Sequence, residues 1–154
     1  MPVLEAHIAA GGGRFRGIRH ISTWDADASL LTPGYPSIPG LLADDGFREG
    51  FACLAPLGLT FDAWLFHPQI DELAALARRF PDTAIVLDHV GGPLGTGAYE
   101  GRREALFPAW RAAILGLSEC PNVCVKLGGL GMRINGYEFH RQPDPPASET
   151  LAAA

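Results

Sequence analysis

The segment AIVLDHV at 84–90 constrains the fold more than any other part of the sequence. It is an almost unbroken apolar run that includes the β-branched residues Ile85, Val86 and Val90, and Gly-Gly-Pro at 91–93 ends it. A strand with one face in water alternates apolar and polar residues, whereas a continuous apolar run is typical of a strand covered on both faces. Such strands belong to parallel sheets with helices packed against them, so the segment predicts an α/β fold.

The rest of the chain alternates between predicted strands and predicted helices. Further strands are predicted at 14–21, 59–66 and 122–129, and helices at 41–58, 68–80, 101–117 and, with Ser148 as its cap, 148–154. The helix at 68–80 has the clearest signal, an apolar stripe at helical spacing. The stripe consists of Ile70, Leu73, Ala74, Leu76 and Ala77. Successive strand and helix units form right-handed parallel crossovers, which fit either an open doubly wound sheet or part of an eight-stranded barrel.

The composition indicates one folded domain that spans residues 1–154. Hydrophobic residues make up 47% of the chain and charged residues 19%, which provides enough apolar material for a core and excludes a largely disordered chain. The formal net charge of −5 lacks the excess of Lys and Arg that nucleic acids or anionic membranes require. The sequence shows no membrane-spanning stretch and no secretory signal, and its three cysteines form no C-x-x-C pair, which favours a cytoplasmic location.

Residues able to do chemistry follow every predicted strand. In parallel α/β folds the carboxyl ends of the strands meet at one rim, where loops surround the pocket. The candidates at this rim are Arg19, His20, Trp64, His67, Asp88, His89 and Lys126. The sequence contains no phosphate-binding loop and no Gly-x-Ser-x-Gly nucleophile elbow, so it indicates neither a nucleotide site nor a covalent hydrolase.

His89 is the strongest single candidate. If the period of two holds along the strand at 84–90, Leu87 and His89 point inward to the pocket, and Val86 and Asp88 face the helices. Asp88 would then have a structural role. A neutral imidazole at His89 can bind a divalent metal, polarise a substrate carbonyl or act as a base, and the sequence leaves these roles open beside a structural hydrogen bond.

Lys126 and His67 each allow two interpretations. Lys126 lies between Val125 and Leu127 in an apolar run, where a buried charge is costly unless it is paired or open to a polar pocket. It is therefore predicted either to bind a substrate carboxylate or to serve as a structural cation that reaches the rim. His67 either contacts the substrate or caps the helix that follows it. The other candidates for substrate contacts are Trp64, His20 and Arg19.

Several segments carry a resemblance to a known family. They are LDHVGGP at 87–93, GRREALFPAWRAAILGLSECPNV at 101–123 and VKLGGLGM at 125–132, supported by GIRH at 17–20 and FHPQI at 66–70. These segments resemble the amidohydrolase-related, metal-dependent hydrolases, and the similarity spans about residues 14–154. The resemblance implies part of a TIM (β/α)8 barrel. It also implies hydrolysis of a small cyclic ester, lactone or amide through attack of water on a carbonyl, with a divalent metal, Zn, as cofactor.

The resemblance also assigns roles to particular residues. His89 matches the family's Asp-His strand end, which implies a catalytic residue and metal ligand, and Lys126 matches a strand-end residue near the substrate, whereas His67 matches a less uniform position. The family's His-x-His pair on the first strand and its Asp on the last strand do not occur in this sequence. We therefore expect a truncated, partial barrel that is not an active enzyme by itself. Its open edge strands would favour pairing with another chain, as in a homo-oligomer.

Two other function classes stay open at this point. The barrel superfamily also includes lyases such as decarboxylases of aromatic acids, and the residues present here do not separate the two reactions. Some relatives open lactones without a metal, holding the substrate carboxylates with cationic residues. A chain without the His-x-His pair and the late Asp is also consistent with a catalytically inactive binding module.

Overall fold

A computed structural model describes residues 1–153 and contains a four-stranded parallel sheet. The strands are β1 (Gly17–Ile21), β2 (Thr60–Trp64), β3 (Ile85–Leu87) and β4 (Val123–Val125), which lie side by side in that order. A doubly wound sheet reverses its strand order at a switch point, whereas consecutive strands of a β/α barrel are neighbours. The observed order therefore confirms the predicted α/β class and its interpretation as part of a barrel.

The described residues form five α-helices. They are α1 (Pro2–Gly11), α2 (Asp45–Phe51), α3 (Ile70–Arg79), α4 (Arg103–Leu117) and α5 (Ser148–Ala153). The predicted helix at 41–58 is shorter, because the Asp44 carboxylate caps α2 by accepting a hydrogen bond from the Phe47 amide at 2.8 Å. The helix α2 ends at Phe51, before the predicted end at Gly58, and Gly58 instead follows a separate 3-10 turn at Ala55–Leu57 with a left-handed φ of 63°. No helix was predicted at α1, because residues 2–11 lack an amphipathic pattern, and α1 has no fully buried residue.

The core lies between the sheet and its helices. Alternate residues of the central strands are fully buried on this side, among them Phe61, Ala63, Ile85 and Leu87. The five apolar residues predicted for the stripe of α3 are also buried, which confirms this helix and its packing face. Each fully buried Leu, Ile or Phe contributes about 1.5–3 kcal/mol, so this face supplies most of the stability of the sheet.

The side chains of β3 point in the opposite directions to those predicted. Ile85 and Leu87 pack in the core, whereas Asp88 contacts Arg19 and Lys126 on the open face of the sheet. The prediction was wrong because an unbroken apolar run carries no alternation from which to choose a face. A shift of one residue exchanges the two faces of a strand, and packing against the helices made the choice here.

The end of β3 is a tight left-handed turn. The strand ends at Leu87, before the predicted boundary at 90, and His89 and Val90 have φ values of 52° and 49°. Positive φ is uncommon outside glycine and costs on the order of 1–3 kcal/mol per residue. The turn breaks the alternation of the strand and brings the ring of His89 against Trp64, next to the open face.

β4 is an edge strand and is not buried as predicted. Val125 and Leu127 are 38% and 84% exposed, and the side chain of Lys126 is 40% exposed. The prediction assumed that an apolar run must be covered on both faces. In residues 1–153 the helices cover one face, and a charged side chain is accommodated on the other.

Among the described residues, no helix combines the length and the apolar character needed to cross a membrane.

Candidate active site

Four charged side chains form an ion network on the open face, two from within β1 and β2 and two from the residues that directly follow β3 and β4. Lys126 Nζ lies 2.6 Å from Asp88 Oδ1 and 2.9 Å from Asp62 Oδ2. Arg19 Nε lies 2.9 Å from Asp88 Oδ2, and its guanidinium reaches to within 3.9 Å of Asp62 Oδ2. The contact of Arg19 with Asp88 is an ion pair without the alignment of a hydrogen bond, since Asp88 Oδ2 accepts none. The network joins all four strands at the rim where parallel sheets place their functional residues.

The register of the sheet explains why these four residues meet. Arg19 and Asp62 are direct partners in the pairing of β1 with β2. Asp62 pairs with Val86 on β3, and Asp88 lies two residues further on the same face. Lys126 follows β4, and its amide donates to the carbonyl oxygen of Leu87 at 2.9 Å, which places it beside Asp88. Opposite charges on neighbouring strands stabilise this arrangement.

The two positive and two negative charges of the network cancel, and the four side chains differ in burial. Asp88 is fully buried, whereas the side chains of Arg19 and Lys126 are 49% and 40% exposed. Hydrogen bonds first to Asp88 and then to Asp62 raise the pKa of Lys126 above its ordinary value. Lys126 therefore remains an ammonium ion near neutral pH and does not serve as a general base. The side chains of both cations are therefore partly accessible from outside the network.

His89 lies beside this network, against Trp64. The two rings meet edge to face with centroids 4.9 Å apart. The Nδ1 atom of His89 is 3.3 Å from the carbonyl oxygen of Gly128, and it can use this oxygen only as a donor. In that tautomer Nε2 carries the lone pair, which is available to a metal ion or to a proton from water.

His67 and His20 do not join the network. His67 is buried, and its Nδ1 accepts a hydrogen bond from the Leu94 amide at 3.1 Å. Burial lowers the pKa of His67, against the opposing influence of Asp25 and a backbone hydrogen bond to Gly92. His20 lies edge to face with Phe47, which belongs to the helix-facing side, and burial lowers its pKa as well. The structure thus brings together Arg19, Trp64, Asp88, His89 and Lys126 and leaves the two other histidines apart.

Asp62 is the site residue that sequence reasoning missed. It is a carboxylate inside the aromatic run at 59–66, with 27% of its side chain exposed. The available signal was the isolated polar residue in an apolar strand, which must face a polar partner. Only the strand register shows that this partner is Arg19 together with Lys126.

The described residues contain no group of three or more His, Cys, Asp or Glu side chains arranged to hold a metal ion. Within residues 1–153, His89 is therefore not part of such a group. The nearby carboxylates of Asp62 and Asp88 are occupied by Lys126 and Arg19.

The chain is similar in sequence and in structure to known proteins of one family. The family model described as Amidohydrolase matches residues 2–154. The chain belongs to the amidohydrolase family. It is 37% identical over 119 residues to an uncharacterised protein of Sinorhizobium fredii, covering 77% of this chain and 36% of the relative. It is 30% identical over 130 residues to the L-fucono-1,5-lactonase of Burkholderia multivorans, covering 84% of this chain and 40% of that enzyme.

Solved structures of the family agree with the architecture. A crystal structure of a Burkholderia multivorans amidohydrolase with bound HEPES superposes with a TM-score of 0.70 at 27% identity, covering 99% of this chain and 47% of that one. Another crystal form of an amidohydrolase from that organism, with bound zinc, gives a TM-score of 0.62 at 25% identity over 96% of this chain and 46% of that one. The chain thus spans less than half the length of these relatives.

Proposed function

We propose that this amidohydrolase chain supplies part of the active site of a hydrolase that opens a small cyclic ester. The observation that carries the proposal is the convergence of His89, Trp64 and the half-exposed cations Arg19 and Lys126 at one rim. The similarity to two L-fucono-1,5-lactonases, at 30% and 34% identity, supports a lactone as the substrate class.

The reaction assigns a distinct role to each residue. The oxygen of a water molecule attacks the lactone carbonyl carbon, the ring C–O bond breaks, and a proton from the water ends on the released hydroxyl group. In the reaction without a metal, the lone pair of His89 Nε2 accepts that proton during attack. The same lone pair would bind the metal ion where one is present, and His89 would then not act as the base. The N–H groups of Arg19 and Lys126 would hold the developing negative charge on the carbonyl oxygen or a carboxylate of the substrate. Trp64 provides an apolar wall beside the imidazole.

A divalent metal, zinc by analogy with the zinc-bound Burkholderia structure, is the cofactor that we propose for the complete site. A bound metal would lower the pKa of water and polarise the carbonyl. His89 fits one ligand position, because a metal-binding His usually donates its other N–H to an oxygen, as Nδ1 does to Gly128. In residues 1–153, His89 is not joined by two further His, Cys, Asp or Glu side chains that could complete a metal site. His89→Asn is expected to lower the zinc content of the dialysed intact protein, measured by mass spectrometry, whereas His140→Asn leaves it unchanged.

The direct test is acid release from L-fucono-1,5-lactone, measured with the intact protein. His89→Asn is expected to lower kcat/KM by about 100-fold or more, the usual range for loss of a general base. The matched control is His140→Asn, because His140 is an exposed histidine whose ion-pair partner is Glu138, away from the rim. Release of carbon dioxide from an aromatic acid, with no lactone opening, would replace the hydrolase proposal by a decarboxylase. Equal activity in both variants would remove His89 from the mechanism.

A further inference from the structure

The first strand of the sheet has a free edge. Among the described residues, β1 pairs only with β2. The Ser22 amide at its end donates to the carbonyl oxygen of Trp64 at 2.8 Å. Alternate residues of a parallel strand bond to the same neighbour, so the intervening residues Arg19 and Ile21 direct their backbone N–H and C=O groups to the other side. These groups are available to a further strand.

The last strand has a free edge of the same kind, with apolar side chains along it. The Lys126 amide donates to the carbonyl oxygen of Leu87 at 2.9 Å, so the backbone of Val125 and that of Leu127 face away from β3. The side chains of Val125 and Leu127 are 38% and 84% exposed. An edge with unpaired backbone groups and exposed apolar side chains is a template for pairing with another strand.

The surroundings of β1 leave its edge accessible. The loop at 34–36 does not fill the space beside the strand, because a cavity of about 410 Å³ is bounded by this loop and by residues 19–21. In a β/α barrel the helices form an outer ring over the strands that they connect. α1 leads into β1 and packs on the core only through partly buried residues, among them Leu4 and Ile8, while Val3 is 69% exposed. A strand beside β1 would give α1 a second strand to pack on.

We propose that two copies of this chain pair edge to edge, β4 of each copy with β1 of the other, and close an eight-stranded parallel barrel. Four strands in consecutive order are half of such a barrel. The chain covers 47% of a solved amidohydrolase structure, so two copies together have nearly the length of that chain. A two-fold axis makes the two seams identical, and closure removes both free edges.

Closure changes the composition of the rim. The carboxyl ends of all eight strands lie at one end of a parallel barrel, so each copy contributes its His89 and its ion network to a shared pocket. Each network contains two positive and two negative groups, and two such networks can therefore face each other without an excess of like charge. The pairing of the chains does not depend on the proposed reaction, and its test measures mass instead of activity.

The test is sedimentation velocity of the 154-residue chain. We expect a dimer with twice the 16.4 kDa mass of one chain. Ile21→Pro and Val125→Pro each remove one amide donor from a free edge, a position where an isolated strand tolerates proline. Each should weaken dimerisation at least tenfold, because the hydrogen bond is lost at both seams. Ile21→Ala and Val125→Ala are the matched controls, since they keep the amide and should remain dimers.

A charged side chain tests the β4 edge without a change in the backbone. Leu127→Lys should also weaken the dimer, because a lysine on an edge strand opposes pairing. Leu115→Lys is its control, since Leu115 is 51% exposed on α4 and away from both edges. Circular dichroism of the monomeric fractions would show whether each variant is folded, and the lysine pair decides the outcome at this edge if Val125→Pro unfolds.

Three results would overturn the proposal. The first is a monomer at about 100 µM, a concentration that populates dimers with micromolar Kd values. The second is an unchanged dimer in both folded proline variants, or equal dimerisation of Leu127→Lys and Leu115→Lys. The third is loss of the dimer in only one of the two folded proline variants, which would indicate an open sheet paired through a single kind of edge.

Discussion

Replacement of Asp88 by Asn tests whether the ion network holds the strand ends together. Asp88 is fully buried and is the residue through which both cations are tied to the centre of the sheet. The Asn side chain keeps the shape of Asp and removes the negative charge. The substitution therefore separates the electrostatic contribution from packing.

The expected loss of stability is about 2 kcal/mol. Breaking a fully buried ion pair costs about 3–5 kcal/mol, and a hydrogen bond to a charged group contributes about 1.5–3 kcal/mol. The two cations here are 49% and 40% exposed, so water solvates them once Asp88 is neutral. Lys126 also retains Asp62 at 2.9 Å. Both effects reduce the loss well below the value for a fully buried pair.

Urea denaturation followed by circular dichroism measures this loss, and the melting temperature should fall by about 4–8 °C. Asp62→Asn is the matched control. Asp62 is 27% exposed and contacts the same two cations, so its replacement should cost only about 0.5–1 kcal/mol. A loss for Asp62→Asn equal to or larger than that for Asp88→Asn would refute the argument from burial. A loss below about 0.5 kcal/mol for Asp88→Asn would refute the stabilising role of the network.

Three further predictions concern other parts of the molecule. The pKa of His67 is lowered in the folded chain from its ordinary value of 6.5, so the unfolded state binds more protons and stability should fall as the pH drops below about 6.5. His67→Gln should make the melting temperature depend less on pH in this range. An unchanged pH dependence in this variant would contradict the prediction. In Gly129→Ala, the new Cβ would lie 2.6 Å from His89 Nδ1, and residue 129 has a φ of +73°. This variant should therefore shift the imidazole resonances of His89 in NMR spectra. Gly128→Ala is the control, because its Cβ would meet nothing within 4 Å and should leave these resonances unchanged. Asn122 Nδ2 lies 3.1–3.2 Å from three carbonyl oxygens, that of Ala77 in the last turn of α3 and those of Phe80 and Thr83 in the connection to β3. Asn122→Ala should therefore cost about 2 kcal/mol in urea denaturation, and Asn122→Asp, which cannot donate, should be no better tolerated.

The candidate site was predictable in its location but not in its internal contacts. Arg19 and Trp64 lie in strands that the sequence predicts, and His89 and Lys126 come after such strands. Parallel strands place residues of this kind at one rim. The grouping of Lys126 with Asp62 depends on pairing between segments 64 residues apart. No local sequence pattern predicts which distant segments pair. For the same reason, the sequence could not predict that His67 lies apart from the network.

The sequence by itself determined the order of the four strands and of the four helices that follow β1, because these elements carry their own periodicity or end signals, whereas α1 carries none. The apolar stripe of α3 is a local property of the chain, and the structure confirms it. Only the tertiary structure decided which face of β3 meets the helices, because an apolar run is compatible with either face. Only the left-handed turn at His89 decided where the imidazole points, since its positive φ ends the alternation on which a sequence argument depends.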